Sequence, residues 1–188
     1  MREALWRLFA FIVSRPAIAS LIIAGRHRRP AYFDLSGYME RWWWMPAWCC
    51  AWSREEKCFK PARWNPFSVR LHHILRADAD RVLHDHPFNW RTIVIRGFYV
   101  EEDVCGEEFI RLAGDTRRAT CETLHRINRV STGGVWTLFF MSRKKQSWGF
   151  MAGDPPRKVL WHDYESANDR PLPGKQARLA RLKAVQPQ

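Results

Sequence analysis

From Phe67 to about Tyr164 the sequence consists of short β-like runs that alternate with turn residues. The runs are rich in β-branched and aromatic residues, as in WRTIVIRGFYV over 90–100, and turn sequences such as STGG and GDPP separate them. Many short strands with no helical period between them are typical of an antiparallel sandwich or barrel. We therefore predict a mainly β domain. The predicted strands are 67–76, 90–100, 109–112, 117–120, 124–130, 135–141 and 159–164.

An apolar segment near the start of the sequence, ALWRLFAFIVSRPAIASLIIA over 4–24, is long enough to suggest a membrane span. However, Arg7 and Arg15 lie within it, and Pro16 interrupts it. An arginine at the centre of a span costs about 2.5–3.5 kcal/mol on insertion scales. A secretory signal is not expected either, because the basic RHRR run directly after the apolar part is the wrong flank for cleavage.

Two short helices are the better interpretation of this segment. The first has an apolar face made by Leu5, Leu8, Phe9 and Ile12. The second is predicted to be capped by Ser14, with Pro16 in its first turn and Gly25 at its end. We expect the segment to pack on the domain or at an interface. Contact with a membrane surface is the less favoured alternative.

The net charge of +12 is concentrated at the two ends of the sequence. Residues 1–30 and 170–188 each carry a net charge of +5, whereas residues 31–169 carry +2. A nearly neutral centre argues against a domain built as a nucleic-acid groove, so specific nucleic-acid binding is not expected. The basic ends are interpreted as solvated tails, with non-specific contact to phosphates or anionic lipid as the alternative.

The cysteines and tryptophans do not indicate a specific function. Five cysteines without the spacing of a disulfide framework favour a reducing, cytoplasmic compartment. A zinc site at Cys49, Cys50 and Cys58 lacks the usual ligand spacing and a fourth ligand, so buried or idle thiols are the preferred interpretation. Six tryptophans within 42–64 are compatible with a lid, a partner surface or an insertion packed on the sheet.

The segment with the clearest chemistry is His84-Asp85-His86-Pro87. On a strand, residues two apart point to the same face, so His84 and His86 offer two imidazoles to one point, as a metal site requires. A third imidazole must come from another strand. His125, on the predicted strand 124–130, is the best candidate.

This arrangement resembles the cupin superfamily. His84, His86 and Gly97 match the first cupin motif, whose glutamate position falls on Trp90, and His125 matches the histidine of the second motif. The run from Leu71 to Trp148 is similar to cupin-like proteins encoded by bacteriophages and proviruses. The similar pieces are LHHILRADADRVLHDHPF, IRGFYVEE, LHRI, VWTLFF and WGF. The resemblance implies a cupin-type double-stranded β-helix (jelly roll), to which the sequence pattern adds the short N-terminal helices and a basic C-terminal tail.

The resemblance also implies a metal-binding function. Without the glutamate, three neutral imidazoles suit Fe(II), Zn, Ni or Cu and leave the metal charge at +2. The similarity to three-histidine dioxygenases favours Fe(II), with Zn or Ni as alternatives. An Fe(II)-dependent, dioxygenase-like activity on a small anionic molecule is the implied function. The alternatives are a non-catalytic phage cupin that binds a small ligand, and a structural or interaction protein.

Residues near the motif are predicted to complete the site. Arg91, Arg96 and Arg76, together with Trp90, are predicted to bind the anionic substrate. Only one of the adjacent His72 and His73 can face inward. The ring nitrogens of the ligand histidines that face away from the metal need hydrogen-bond partners, for which the candidates are Asp78, Asp80 and Asp85.

These interpretations divide the sequence into four parts. They are an N-terminal basic helical segment (1–30), a Trp-rich insertion or lid (31–66), a cupin β-barrel (67–165) and a basic C-terminal tail (166–188) with a predicted helix over 174–185. The expected partners are the small anionic molecule and a second copy of the chain, because open sheet edges need cover. The expected location is the cytoplasm, which is the host cytoplasm if a phage encodes the chain.

Overall fold

The computed structural model describes residues 2–32, 35, 37–44, 50–53, 58–62, 64, 67–78 and 82–164. Over these ranges the chain is mainly β with antiparallel strand pairing, as predicted, and it has two short helices before the first strand. The C-terminal tail with its predicted helix, Asp80, Cys49 and residues 45–49 of the Trp-rich segment lie outside the described residues.

Within these described ranges, two α-helices and a short 3-10 helix precede twelve strands. Helix α1 is Arg2–Val13, helix α2 is Pro16–Ala24, and a short 3-10 helix covers Gly25–Arg28. The strands are β1 Met39–Trp43, β2 Cys50–Ser53, β3 Cys58–Pro61, β4 Phe67–Ile74, β5 Trp90–Arg96, β6 Phe98–Asp103, β7 Glu108–Leu112, β8 Thr116–Ala119, β9 His125–Val130, β10 Val135–Ser142, β11 Gly149–Ala152 and β12 Arg157–Leu160.

Two antiparallel sheets enclose the core. The first sheet has the strand order β1-β4-β10-β5-β8. The second contains β7-β6-β9, and single backbone bridges from His84 to His125 and to Phe150 join it to the pair β11-β12. Side chains from both sheets meet in one apolar cluster, in which Val94 of the first sheet packs with Tyr99 and Ile127 of the second. The two sheets therefore face each other across this cluster, and β2 and β3 form a separate hairpin.

Strand β5 is covered on both faces, which explains why six of its seven residues are buried. Trp90 and Val94 face the space between the two sheets. Ile93 and Ile95 face the opposite way and pack against Ala10 of helix α1. The period-two alternation of a strand thus separates an inner core from an outer core beneath the helices.

The run 90–100, predicted as one strand, is two strands in different sheets. Gly97 lies between β5 and β6 with φ +79°, a conformation that glycine adopts at no steric cost. A Cβ atom at this position would lie 2.9 Å from the carbonyl oxygen of Gly134 and would also meet the Ser131 hydroxyl. The close approach of these loops leaves room only for glycine where the chain passes from one sheet to the other.

The two predicted N-terminal helices are present, and the face of α1 that packs on the sheet is not the apolar face identified in the sequence. Ala10 and Val13 are the buried residues of this helix, whereas the predicted face of Leu5, Leu8, Phe9 and Ile12 is exposed. The prediction that Ser14 caps α2 is wrong. The Ser14 hydroxyl donates to the carbonyl of Phe11, and Arg15 precedes α2 without a side-chain cap. An apolar stripe indicates a helix but does not identify what covers it.

Candidate metal centre

The structure brings His84, His86 and His125 together between the two sheets. One ring nitrogen of each lies within 4.8 Å of the others, and Nε2 of His86 is 2.8 Å from Nε2 of His125. His125 is buried and the other two are largely enclosed. Within the part of the chain that the structure describes, this is the cluster of potential ligands with the spacing of a metal site.

Backbone pairing holds the two parts of the cluster in place. The backbone N–H of His84 donates to the carbonyl of His125 at 2.9 Å, and the N–H of His125 donates back at 3.1 Å. His125 is the first residue of β9. The segment His84-Asp85-His86, called the HxH segment below, forms single backbone bridges rather than the predicted strand. The bridge fixes the spacing of two histidines that are about forty residues apart in sequence, so their rings start close together before any ligand binds.

Glu101 completes the surroundings of His125, and the sequence analysis did not include it. Its side chain is fully buried, and Oε1 lies 2.8 Å from Nδ1 of His125. Two arginines neutralise the carboxylate: Arg111 donates to Oε2 at 3.2 Å, and Arg117 contacts Oε1. A carboxylate at this position favours a proton on Nδ1 of His125, which leaves Nε2 with a free electron pair toward the other histidines.

The predicted acidic partners of the ligand histidines behave differently from one another. Asp78 lies near His84, but its carboxylate oxygen is 3.7 Å from Nδ1, beyond hydrogen-bond distance. This carboxylate instead accepts hydrogen bonds from the Tyr38 hydroxyl and, at 2.7 Å, from the backbone N–H of Ile127. Asp78 therefore fixes the loop before the HxH segment rather than the imidazole itself.

Asp85 is buried and holds the HxH segment in place on the side away from the histidine rings. Its carboxylate accepts hydrogen bonds from the backbone N–H of Gly149 at 2.8 Å, from Gln146 at 3.0 Å and from Lys158 at 2.5 Å. Gln146 also donates to the carbonyl of His86. As the alternation of the HxH motif predicts, Asp85 points away from the histidine cluster, and it anchors the segment to the β11-β12 region.

The buried histidines are held neutral by their surroundings. Burial, together with the neighbouring His125 and His84, lowers the pKa of His86 well below its usual value of 6.5. Burial and His84 lower the pKa of His125 in the same way. Both rings are therefore neutral near pH 7, which is the protonation state that binds a metal ion.

Aromatic rings form the wall beside the histidines. Trp90, at the position where the resemblance led us to expect glutamate, is buried, with its ring centroid 5.1 Å from His125 and 5.3 Å from His86. Phe139 packs on Trp90, and His72 stacks on the same phenylalanine at 4.9 Å. His72 is thus the inward residue of the pair, while His73 stacks on Trp136 on the other side of the sheet.

The three arginines predicted to bind substrate do not face the cluster. Arg91 is buried on the outer side of β5, where it donates to Glu3 at 2.5 Å. Arg96 is exposed and donates to the Ser20 hydroxyl at 2.6 Å, and Arg76 lies over the ring of Tyr38. The alternation of β5 turns Arg91 toward the helices, so among the four predicted residues only Trp90 contacts the histidines.

Comparisons with known proteins find similarity at the level of structure. No protein-family model matches the sequence, and no curated protein has a significantly similar sequence. The DMSP lyase DddQ from Ruegeria pomeroyi DSS-3 is similar with a TM-score of 0.47 and 12% identity, over 70% of this chain and 66% of the lyase.

Two further solved structures are similar to the chain. KdgF from Halomonas sp. has a TM-score of 0.44 and 15% identity, over 63% of this chain and 92% of that protein. A sugar phosphate isomerase of the cupin superfamily from Silicibacter pomeroyi DSS-3 has a TM-score of 0.39 and 19% identity, over 48% and 59% of the two chains. The chain thus spans less than two thirds of this isomerase.

Proposed function

We propose that the chain is a metal-binding protein of the cupin type in which His84, His86 and His125 bind one divalent ion. The observation that carries this proposal is the separation of 2.8 Å between Nε2 of His86 and Nε2 of His125. Two buried, neutral nitrogen atoms at this distance can share one proton, or both can direct their electron pairs at one cation. The third imidazole, within 4.8 Å, favours the cation.

The donor set fits such an ion in its geometry. Two nitrogens that each lie about 2.1 Å from one ion, at an angle of about 90–110°, are about 3.0–3.4 Å apart. The observed separations extend from 2.8 Å to at most 4.8 Å, so small movements of the rings suffice to satisfy this geometry. The contact between Glu101 and Nδ1 of His125 supplies the orientation that ligand histidines usually have.

Neutral imidazoles suit Fe(II), Zn and Ni alike. We propose Fe(II), the ion implied by the sequence resemblance, and keep Zn and Ni as alternatives. When bound, such an ion supplies Lewis-acid polarisation of a substrate oxygen and, if it is iron, redox chemistry with dioxygen. The chain contributes by excluding water from the histidines with Trp90 and Phe139. We propose an oxygenase-type activity on a small anionic molecule, whose charge complements a site of three neutral ligands.

Two buried nitrogens favour a bound small molecule beside the histidines. Nε2 of His72 and Nε1 of Trp90 are both buried without a hydrogen-bond partner among the described residues. Their rings pack on the same Phe139. An oxygen-rich molecule next to this wall would supply the missing acceptors, since buried polar groups are rarely left unpaired. The same observation supports the second candidate function, the binding of such a molecule without turnover.

Elemental analysis of the purified protein tests the metal proposal. We expect about one equivalent of divalent metal per chain, lost in His86→Ala and retained in His162→Ala, which replaces an exposed histidine outside the cluster. Native mass spectrometry in the same experiment separates the two candidates, because an organic ligand without metal favours simple binding. A folded protein whose affinity for Fe(II), Zn and Ni equals that of His86→Ala would overturn the proposal.

A further inference from the structure

Helix α1 exposes several large apolar side chains on the side away from its buried residues. Leu8 and Ile12 are 55% and 43% exposed, and Leu21 of helix α2 is 73% exposed. We call this surface the N-terminal face. It consists of Leu5, Leu8, Phe11 and Ile12 of α1 and Leu21 of α2, with Phe9 at its border, where the ring also contacts Phe140. A contiguous set of large apolar side chains on the surface usually marks a contact site.

The helix is held on the sheet with this face outward. On its inner side, Ala10 and Val13 are buried in the outer core, and Trp6 packs edge-on against Phe140 with ring centroids 5.0 Å apart. The hydrogen bond between Glu3 and the buried Arg91 fixes the start of the helix. Burying Leu8 or Ile12 against the sheet instead would require the helix to rotate and break these contacts, so the N-terminal face is a stable feature of the fold.

The charged residues of the helical N-terminal segment are almost all positive. Arg7, Arg15 and Arg28 are exposed, and the guanidinium of Arg15 lies 3.8 Å from the ring centroid of Phe11. Glu3 is the one acidic residue within 1–30, and Arg91 already neutralises it. An apolar helix face bordered by arginine is the pattern of helices that lie in the interface of an anionic bilayer.

We propose that the N-terminal face binds the surface of an anionic lipid bilayer, with α1 lying parallel to it. The arginines would contact lipid phosphates while Leu5, Leu8 and Ile12 enter the acyl region. An open groove of about 350 Å³, lined by Arg2, Leu5, Trp6 and Phe9, offers a place for part of one lipid beside the helix. This proposal goes beyond the metal site, which lies on the other side of the first sheet.

Electrostatics favours a bilayer surface over a second copy of the chain as the occupant. A second copy of the chain placed symmetrically on this face would bring its own arginines against those of the first, which is electrostatically unfavourable. Among the described residues, no single helix is long and apolar enough to cross a membrane. Helix α1 and the segment Pro16–Arg28 pass that test only as a pair bent by 78°.

Co-sedimentation of the full chain with lipid vesicles tests the proposal. We expect binding to phosphatidylcholine vesicles that contain roughly one third phosphatidylglycerol, and much weaker binding to pure phosphatidylcholine. Raising the salt concentration should weaken binding, because the charge contribution is screened. The double variant Leu8→Glu with Ile12→Glu should bind the anionic vesicles at least about tenfold more weakly, because two carboxylates replace apolar contacts.

A matched control separates the helix from the general charge of the chain. Ile110 and Leu112 on β7 are 59% and 54% exposed, so Ile110→Glu with Leu112→Glu makes the same chemical change elsewhere. This control should bind vesicles like the parent. If the helix variant loses its native circular dichroism, Arg7→Gln with Arg28→Gln provides the second test and should also weaken binding. Equal binding by all variants would overturn the proposal.

Two further outcomes would also overturn it. One is the failure of the parent protein to bind anionic vesicles. The other is a concentration-dependent dimer that the Leu8 and Ile12 changes dissociate while vesicle binding is absent, which would identify the face as an interface between copies. Metal content is measured on the same samples. Since the metal ligands are far from this face in the fold, a failed vesicle experiment leaves the metal proposal to its own test.

Discussion

Replacing Glu101 with glutamine tests how the candidate metal centre is built. The carboxylate is fully buried, with Oε1 2.8 Å from Nδ1 of His125 and Oε2 accepting from Arg111 at 3.2 Å. In Glu101→Gln the side chain keeps its shape and one acceptor oxygen. It loses the negative charge, and its other oxygen becomes an N–H donor that faces donors.

Two magnitudes follow from these contacts. Loss of the carboxylate that orients a ligand histidine typically reduces metal affinity about 10–100-fold, or about 1.4–2.7 kcal/mol. Removing one partner of a buried ion pair typically costs about 3–5 kcal/mol of folding stability. We expect the lower end of that range. Arg111 and Arg117 are 25% and 16% exposed, so both reach water to some extent when the charge is removed.

The neighbouring residue provides a matched control. Glu102 points to the other side of β6, where it accepts hydrogen bonds from Arg126 at 2.6 Å and from Asn128 at 2.7 Å. Its pairs are nearer the surface, so Glu102→Gln should cost less than about 1 kcal/mol and leave metal affinity unchanged. Competition of each protein with a zinc chelator measures the affinity, and urea unfolding measures the stability.

Two results would refute the reasoning. One is a folded Glu101→Gln protein that binds zinc as tightly as the parent, which would show that the carboxylate does not orient the ligand. The other is an equal loss of affinity in Glu101→Gln and Glu102→Gln, which would point to the general charge of β6 rather than to the contact with His125.

Three further predictions concern pH, metal and backbone. Because burial lowers the pKa values of His72 and His125 well below 6.5, the unfolded chain binds protons that the folded chain does not. Stability of the metal-free protein should therefore fall below about pH 6.5, by up to about 1.4 kcal/mol per pH unit for each histidine. A flat urea-unfolding profile from about pH 7 to about pH 5.5 would contradict this. Metal at about 100 times its dissociation constant should raise the free energy of unfolding by about 2.7 kcal/mol, and an unchanged Tm after chelation would argue against native-state binding. Gly97→Ala should destabilise the fold by about 2 kcal/mol or more in urea unfolding, because its Cβ atom would crowd Gly134 at 2.9 Å. Gly106→Ala, with φ +76° but open space, should cost less, and equal losses would mean that the crowding is unimportant.

Most strands between Phe67 and Ser142, and the grouping of His84, His86 and His125, could be predicted from the sequence, whereas β1, β2, β3 and β11 were not predicted. Alternation with a period of two is local, so it can be seen without knowing the partner strands. It correctly assigned Asp85 away from the cluster, whereas the backbone bridge that brings His84 to His125 joins residues about forty positions apart and cannot be seen in local alternation.

Features that depend on tertiary contacts were missed. Glu101 follows an irregularity in pairing between Val100 and Glu101, and the sequence alone does not show which of two adjacent glutamates faces inward. Once the structure shows that Tyr99 faces inward, alternation along β6 assigns Glu101 to the same side. Which face of α1 the sheet covers could not be predicted, because Trp6, Ala10 and Val13 also recur at helical spacing.

Successive residues of strand β5 point to opposite faces, so the histidine cluster lies on one side of the strand and the contact with helix α1 on the other. Trp90 faces the imidazoles, and Arg91, the next residue, faces Glu3 of α1. Deleting one residue near the start of this strand would exchange the two faces, with a guanidinium placed among the histidines and an indole against the helix. We therefore expect related sequences to vary in β5 by substitution and to keep the number of residues in this strand constant.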